Sequence, residues 1–372
     1  MVFSTSDIEL LRLLRWCRYI APADLSLFDE RTISNLKVLK LIRSQRSSKY
    51  LTLTGKGNDF IESMFTDVPE RMPVSYKKVD ALRRVRVSKI ALTAYAAGFS
   101  VFTNSLLCLE EKSSYFLPTL MRGNSANPWG NSRIAALLRL GDTLYAAHFV
   151  CPNIGDMLLI DELNAFMNNT ARIENVRRAF IFAGTSYENI LEELDQPVGR
   201  GSTRYVSYAD ALRQIEIPVH LLPCDATGAM QLRLMEIQDY RQELSRAALK
   251  GQYTPPPSDV LSWDAMFEGK PFVVAADMDL RRIEAAIQVA KERGLGPISM
   301  VALKPQVDAV LKRRYREKGL ARVFTLKDEM LRELGVSQLY IPSADAYKTE
   351  KGEVIDAPLI QAARRTGGSG NQ

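Results

Sequence analysis

Two carboxylates, Asp277 and Asp279, stand two positions apart directly after the apolar run PFVVAA, and acids so spaced at the carboxyl end of a strand can hold a divalent metal. Asp279 equally suits the N-cap of a following helix, where its oxygen would accept from backbone N–H groups. No glycine-rich phosphate loop accompanies the pair, so capping is the expectation and no metal ligand is assigned. The two histidines, His148 and His220, each fall within a strand-like run, YAAHFV and PVHLLP, which removes most histidine-based catalysis. Cys17, Cys108, Cys151 and Cys224 form no CxxC pair, so reduced, buried thiols are expected rather than a zinc ribbon or a disulfide framework. Gly199-Arg200-Gly201-Ser202 fits neither GxxxxGK[ST] nor GxGxxG and reads as a loop. Asp142, Asp156, Asp161 and Glu162 read as solvated turn or helix residues. No catalytic residue and no cofactor is assigned.

The chain has 372 residues, 46% hydrophobic and 25% charged, which suits a globular protein of two or three units. No window approaches the ~18 uninterrupted apolar residues of a membrane helix. The start, MVFSTSDIELLRLLRW, mixes acids and arginines into its apolar stretch, unlike a secretory leader, so a cytoplasmic protein without a membrane partner is expected. The net charge of +6 is unevenly placed. Residues 1–90 carry 17 Lys/Arg against 10 Asp/Glu, whereas the remainder carries 32 against 33. A basic first quarter points to nucleic acid or an anionic surface.

That basic part divides into elements. Ser6 and Glu9 form a capping-box pattern opening a helix over 6–18, and Pro22 suits the first turn of a short helix through Leu27. A third helix is predicted from Glu30 to Lys40, with Thr32, Leu36 and Leu39 on one side and Arg31, Ser34, Asn35, Lys37 and Val38 away from it or flanking it. Strands over 41–46 and 49–54 follow, joined by a polar turn, and Gly55-Lys56-Gly57 opens a helix ending near Phe65. This order resembles a winged helix, and YLTLTGKGNDFI is similar to the Y-x-L-T-x-K-G segment that closes the wing in many prokaryotic examples, through Leu51, Leu53, Thr54, Lys56 and Gly57. The resemblance implies that the third helix enters the major groove of double-stranded DNA, with Arg31, Ser34, Asn35 and Lys37 near base edges. It implies phosphate or wing contacts for Lys40, Arg43, Gln45, Arg46 and Lys49. A winged helix used only for protein contact is the other reading.

Residues 1–66 are thus expected as a winged-helix domain, with a linker at 67–75. The helix that follows, over 76–97, carries Lys77, Lys78, Arg83, Arg84 and Arg86, which either extend the footprint along phosphates or solvate a helix between domains. Residues 76–250 read as an α/β domain: a strand at Phe99–Thr103, a hairpin over 133–150, helices near 155–168 and 186–194, strands 178–183 and 219–223, and one long helix over 226–249. The order α-β-β-β-α-β resembles the PD-(D/E)xK nuclease-like core, but the third strand, LYAAHFV, has neither the acid nor the lysine of that chemistry, so the resemblance implies a degenerate, inactive copy. Residues 251–262, with Pro255, Pro256 and Pro257, read as a linker. Residues 263–345 then alternate strands (271–276, 298–303, 321–326, 338–342) and helices (279–293, 305–318, 327–334), an α/β unit with a parallel sheet, before a tail over 346–372. Lys312, Arg313, Arg314, Arg316 and Lys318 cluster near the end of one of these helices, as dipole partners or as a second nucleic-acid contact.

The winged-helix segment, SRIAALLRLGDTLYAAHFV and VVAADMDLRRIEAAIQVAKERGLGPISMVALKPQVDAVLKRRY together resemble proteins of conjugative and integrative elements of Firmicutes, loosely related to the replication-relaxation family of plasmid proteins. The resemblance implies a sequence-specific, non-catalytic double-stranded-DNA-binding protein of a mobile element, acting in replication, transfer or its regulation. A homodimer on paired half-sites, with other mobile-element proteins as partners, is the matching expectation. The rival readings are a metal-dependent nuclease of PD-(D/E)xK-like or toprim-like type and a ligand-sensing transcriptional repressor.

Overall fold

The structure is a computed structural model. It describes residues 3–45, 49–71, 78–103, 113–117, 134–150, 163–168, 170–171, 173, 176–195, 197–198, 206–207, 217–340, 342, 346–348 and 354–356. The chain is mixed α/β and divides into two compact units, the first made of residues 1–109, 114–120 and 338–372, the second of 110–113 and 121–337. The expected Pro-rich boundary at 251–262 lies inside the second unit, and the helix expected to begin the middle domain belongs to the first.

In the first unit, α1 (Thr5–Cys17) is the central element. Leu10, Leu11, Leu13, Leu14 and Cys17 are all fully buried, because α2, α3, α4 and a strand pack around the helix. Its capping box is Ser4 with Asp7, not Ser6 with Glu9: the Ser4 hydroxyl accepts from the Asp7 N–H and the Asp7 carboxylate from the Ser4 N–H. Shifting the start by two residues frees Glu9 for the interior, where it accepts from the Tyr95 hydroxyl. A short 3₁₀ turn (Pro22–Asp24) precedes α2 (Glu30–Val38), β1 (Ile42–Ser44), β2 (Leu51–Leu53) and α3 (Gly55–Met64). β1 and β2 pair antiparallel, and Ile20 adds a third, one-residue strand by exchanging backbone bonds with Leu51 at 3.1 and 2.8 Å.

Gly57 is required where it stands, since a Cβ there would lie 2.1 Å from the Leu41 carbonyl oxygen. Thr54 caps α3 by accepting from the Gly57 N–H and donates to the Lys40 carbonyl at 2.7 Å, so one side chain joins helix to hairpin. α4 (Lys78–Ala96) follows, its second half buried almost continuously from Val87 to Ala97. Phe99–Thr103 is not a strand: Ser100 alone bridges β3 (Ser114–Phe116). Residues 338–340 of the strand expected over 338–342 are not in a strand, and residue 341 lies outside the described residues. The Tyr340 N–H instead donates to the Ala96 carbonyl at 2.8 Å, and its ring stands edge-on to Tyr95 at 4.9 Å.

Among the described residues the second unit holds two larger sheets and one two-stranded ladder. In the first, β4 (Ile134–Leu140), β5 (Thr143–Phe149), β6 (Arg177–Gly184) and β9 (Val219–Pro223) lie side by side, β4 with β5 antiparallel and the others parallel. A two-residue ladder joins β7 (Pro197–Val198) to β8 (Val206–Ser207), and α5 (Tyr187–Asp195) follows β6. β6 buries Ala179–Gly184 without interruption, as a strand covered on both faces must. The second sheet runs β10 (Ala265–Phe267), β11 (Lys270–Val274), β12 (Ile298–Ala302) and β13 (Ala321–Thr325), with β10 antiparallel at the edge. Its helices are α8 (Leu280–Glu292), α9 (Lys304–Gln306) running on as a π-helix (Val307–Arg316), and α10 (Asp328–Glu333).

The single helix expected over 226–249 is two, α6 (Ala226–Glu236) and α7 (Tyr240–Leu249), broken where Asp239 takes a left-handed backbone at φ 50°. Aspartate is among the residues that tolerate this conformation. Leu234, Leu244 and Leu249 on these helices share one apolar cluster with Phe272, Val274 and Val301, and this cluster explains why no domain boundary falls between 251 and 262. β14 (Ala346–Lys348) and β15 (Val354–Asp356) pair antiparallel within residues expected as tail.

Candidate nucleic-acid interface

α2 buries Thr32 and Leu36, four residues apart, and so turns positions 31, 34, 35 and 38 outward on the opposite side. Arg31, Ser34, Asn35 and Lys37 are all exposed, and their side chains meet no hydrogen-bonding or charged partner among the described residues. Asp29 caps the helix by accepting from the Arg31 N–H at 2.8 Å, which anchors the backbone of Arg31 and leaves its guanidinium outside. Lys56 donates to the Leu39 carbonyl at 3.2 Å, so this lysine serves the helix end rather than the solvent face.

The hairpin supplies Arg43, exposed on β1 opposite Thr52, and Lys49, exposed before β2. Lys40 and Lys49 both take left-handed backbones, at φ 57° and 58°, a conformation that glycine or asparagine adopts at lower cost. Gln45 is half-buried, bonds its backbone to Tyr50 and Lys49, and has a further interaction of its own. Arg46 lies outside the described residues.

On α4, Lys78 and Arg83 are exposed, whereas Arg84 is half-buried and its charge acts inward on Cys17 and Tyr115. Burial pushes the Cys17 thiol up to about 12. Arg83, Arg84 and Arg86 each engage other residues, and Lys77 lies outside the described residues. Of the five cations singled out on this helix, Lys78 and Arg83 alone are exposed among the described residues.

Val38 is the residue whose position the sequence left undecided. It is 80% exposed, on the face of Arg31, Ser34 and Asn35. Its spacing, three residues after Asn35 and seven after Arg31, already carried that signal.

The acids of the rival reading are arranged otherwise. Asp277 is fully buried and accepts from the Tyr240 hydroxyl at 2.6 Å and from Arg241 Nε at 2.9 Å, while Arg282 stands 3.5 Å from its other oxygen. Arg282 in turn pairs with Asp264 at 2.7 Å. Burial alone would raise the Asp277 carboxyl, but the two guanidinium charges outweigh it and hold the group well below the usual carboxylate range. Asp279 caps α8 by accepting from the Arg282 N–H at 3.2 Å. The two acids thus bind arginines and a helix start. Among the described residues no three His, Cys, Asp or Glu side chains gather as a metal-ligand set.

Both histidines stand in strands, His148 in β5 and His220 in β9. His148 is buried beside Phe180 and Phe182, and His220 Nδ1 donates to the Asp277 carbonyl at 2.9 Å. β4 and β5 carry no carboxylate, and Asp142 between them pairs with Arg177 at 2.8 Å. Asp156, Asp161, Glu162, the Gly199–Ser202 loop, Cys108 and Cys151 lie outside the described residues. Among the described helices none is long and apolar enough to cross a membrane. No protein-family model, curated protein or solved structure matches the chain.

Proposed function

We propose that the chain is a sequence-specific duplex-DNA-binding protein whose first unit acts as a winged helix, α2 reading the major groove and the β1–β2 hairpin lying along the backbone. The observation that carries this reading is the outward face of α2, where Arg31, Ser34 and Asn35 stand exposed with no side-chain partner on a helix fixed from behind by Thr32 and Leu36. Arginine pairs with guanine O6 and N7, and asparagine with adenine N6 and N7, by two hydrogen bonds each. Val38, next along the face, suits the methyl group of thymine. Lys40 and Lys49 give a second support: each places a cation where the backbone favours glycine, which is reasonable if the charge itself is used.

Binding energy then comes mainly from Lys40, Arg43 and Lys49 on phosphates, and discrimination from α2. The second unit serves as scaffold for self-association or for another protein. The resemblance to mobile-element proteins supplies the setting, namely replication, transfer or its regulation.

The test is selection of bound duplexes from a random library, followed by salt titration of the best duplex with wild type and an Arg31→Ala/Asn35→Ala variant. A defined site, with preference lost in the variant while binding to unrelated duplex persists, is the expected result. Absence of enrichment together with no binding at low salt overturns the reading and makes the first unit a protein-contact module.

A further inference from the structure

Arginine in the second unit is almost everywhere engaged. Twelve of its described arginines make a hydrogen bond or an ion pair, from Arg139 and Arg177 at the first sheet to Arg322 and Arg332 at the second. Arg313 and Arg316 are the exceptions among the described residues, and both are exposed. Lys312 and Lys318 flank them, also exposed and without an ion pair, and Arg314 alone of the cluster is tied, to Glu284 at 3.6 Å.

The backbone beneath is unusual. Val307–Arg316 is a ten-residue π-helix, closed by the Glu317 N–H donating to the Lys312 carbonyl, five residues back, at 2.9 Å. Such runs are rare and concentrate at functional sites. Val307, Val310, Leu311 and Tyr315 anchor this one, so the cations stand on a fixed surface rather than on a loop. Two cations in the last turn would already complement a helix dipole; the four that make no ion pair among the described residues exceed that need, even with the charge of Lys312 acting on Asp308.

We infer that Lys312, Arg313, Arg316 and Lys318 form a second polyanion-binding surface, which takes the phosphate backbone of duplex DNA. The choice of ligand rests on the DNA-binding reading above and on chemistry at this surface. Tyr315 is buried, so the helix offers no aromatic platform for unstacked bases of a single strand. Leu320 is the one apolar side chain exposed over 312–320, too little for insertion between lipids. What remains is point charges and guanidinium forks, suited to phosphate and blind to sequence.

The experiment uses the full chain and the selected duplex, comparing wild type, Arg313→Ala/Arg316→Ala, and a control of equal charge loss, Lys291→Ala/Lys327→Ala, whose lysines are exposed elsewhere in the same unit. Each phosphate contact adds about 0.9 to the slope of log K against log salt. The arginine variant is expected to lower that slope by roughly 1 to 2 and to weaken binding several-fold at ~0.15 M salt, with the preference for the selected site unchanged. The control is expected to match wild type, and thermal midpoints of all three to agree. Equal slopes for wild type and the arginine variant, or equal losses in variant and control, overturn this inference and leave the DNA-binding reading standing. Failure of the wild type to bind any duplex overturns both. Binding to vesicles of anionic phospholipid that the arginine variant loses, with its DNA slope intact, reassigns the surface to membranes and overturns the inference as well.

Discussion

The outward face of α2 and the surroundings of Asp277 use the same residue types to opposite ends. On α2, Arg31 and Asn35 are exposed and keep their donors unspent. Around Asp277, Arg241, Arg282 and Tyr240 spend theirs on a carboxylate with no exposure at all. There the backbone joins in as well. The Gln231 amide donates to the Leu221 and Asp277 carbonyls, Gln306 to the Ala276 carbonyl and to the Tyr187 hydroxyl, and Tyr187 to Gln231. Strand β9, the loop after β11 and helices α5 to α9 therefore close on one polar centre in which every charge has an opposite. A run of cations in the sequence is thus evidence of a ligand only where no carboxylate has been folded against it.

The comparison breaks most sharply at Asp277. Asp277→Asn removes one charge from a buried group held by two arginines, and breaking such a pair costs about 3–5 kcal/mol. Because the folded carboxyl is held below its unfolded value of about 3.9, its stabilisation is complete above that pH and is lost as pH falls toward the folded value. Urea unfolding at pH 7 and at pH 3 should show a large loss in the variant at pH 7 and a smaller gap from wild type at pH 3. An equal gap at both would place the effect in packing rather than charge.

On the opposite side of the comparison, Arg31→Ala and Asn35→Ala should leave stability within about 0.5 kcal/mol of wild type while each loses about 1–3 kcal/mol of discrimination between the selected site and its single-base variants. Thermal melts and competition binding read the two quantities separately. Gly57→Ala probes the scaffold of that face: the added methyl would meet the Leu41 carbonyl, and a loss of about 1–3 kcal/mol is expected, with DNA affinity falling in proportion to the unfolded fraction. The smallest effect belongs to an ion pair in water. Lys304 and Asp308 sit 2.6 Å apart and largely exposed, and thermal melts of Asp308→Ala at moderate salt should overlay those of wild type.

Much of the helix and strand order was legible because it rests on local periodicity. The alternation over 271–326, the Gly141-Asp142 hairpin turn and the two-sided pattern of α2 all follow from which residues are apolar and how they are spaced. What escaped is set by distant partners. Nothing local distinguishes Ser4 from Ser6 as the cap of α1; the choice is made by Glu9 meeting Tyr95, 86 residues on. The break at Asp239 directs Tyr240 and Arg241 onto Asp277, a contact 36 residues away that periodicity along a helix does not carry. Asp277 and Asp279 were visible as a pair, but the arginines that claim Asp277 lie at positions 241 and 282, one far before it and the other inside the following helix. Val38 was legible in spacing, yet its full exposure depends on nothing folding over it.

Tyr340 adds a matter of timing. Its N–H donates to the Ala96 carbonyl at the end of α4, and its ring meets Tyr95 edge-on, so the first unit borrows a residue made ~240 positions after the helix it closes. At a synthesis rate of about 5–20 residues per second, that residue reaches the ribosome's active site roughly 12–50 s after Ala96. Through that interval the Ala96 carbonyl lacks this donor and Tyr95, stacked on Phe28, lacks its edge-on neighbour, and a chain released short of position 340 would lack both permanently.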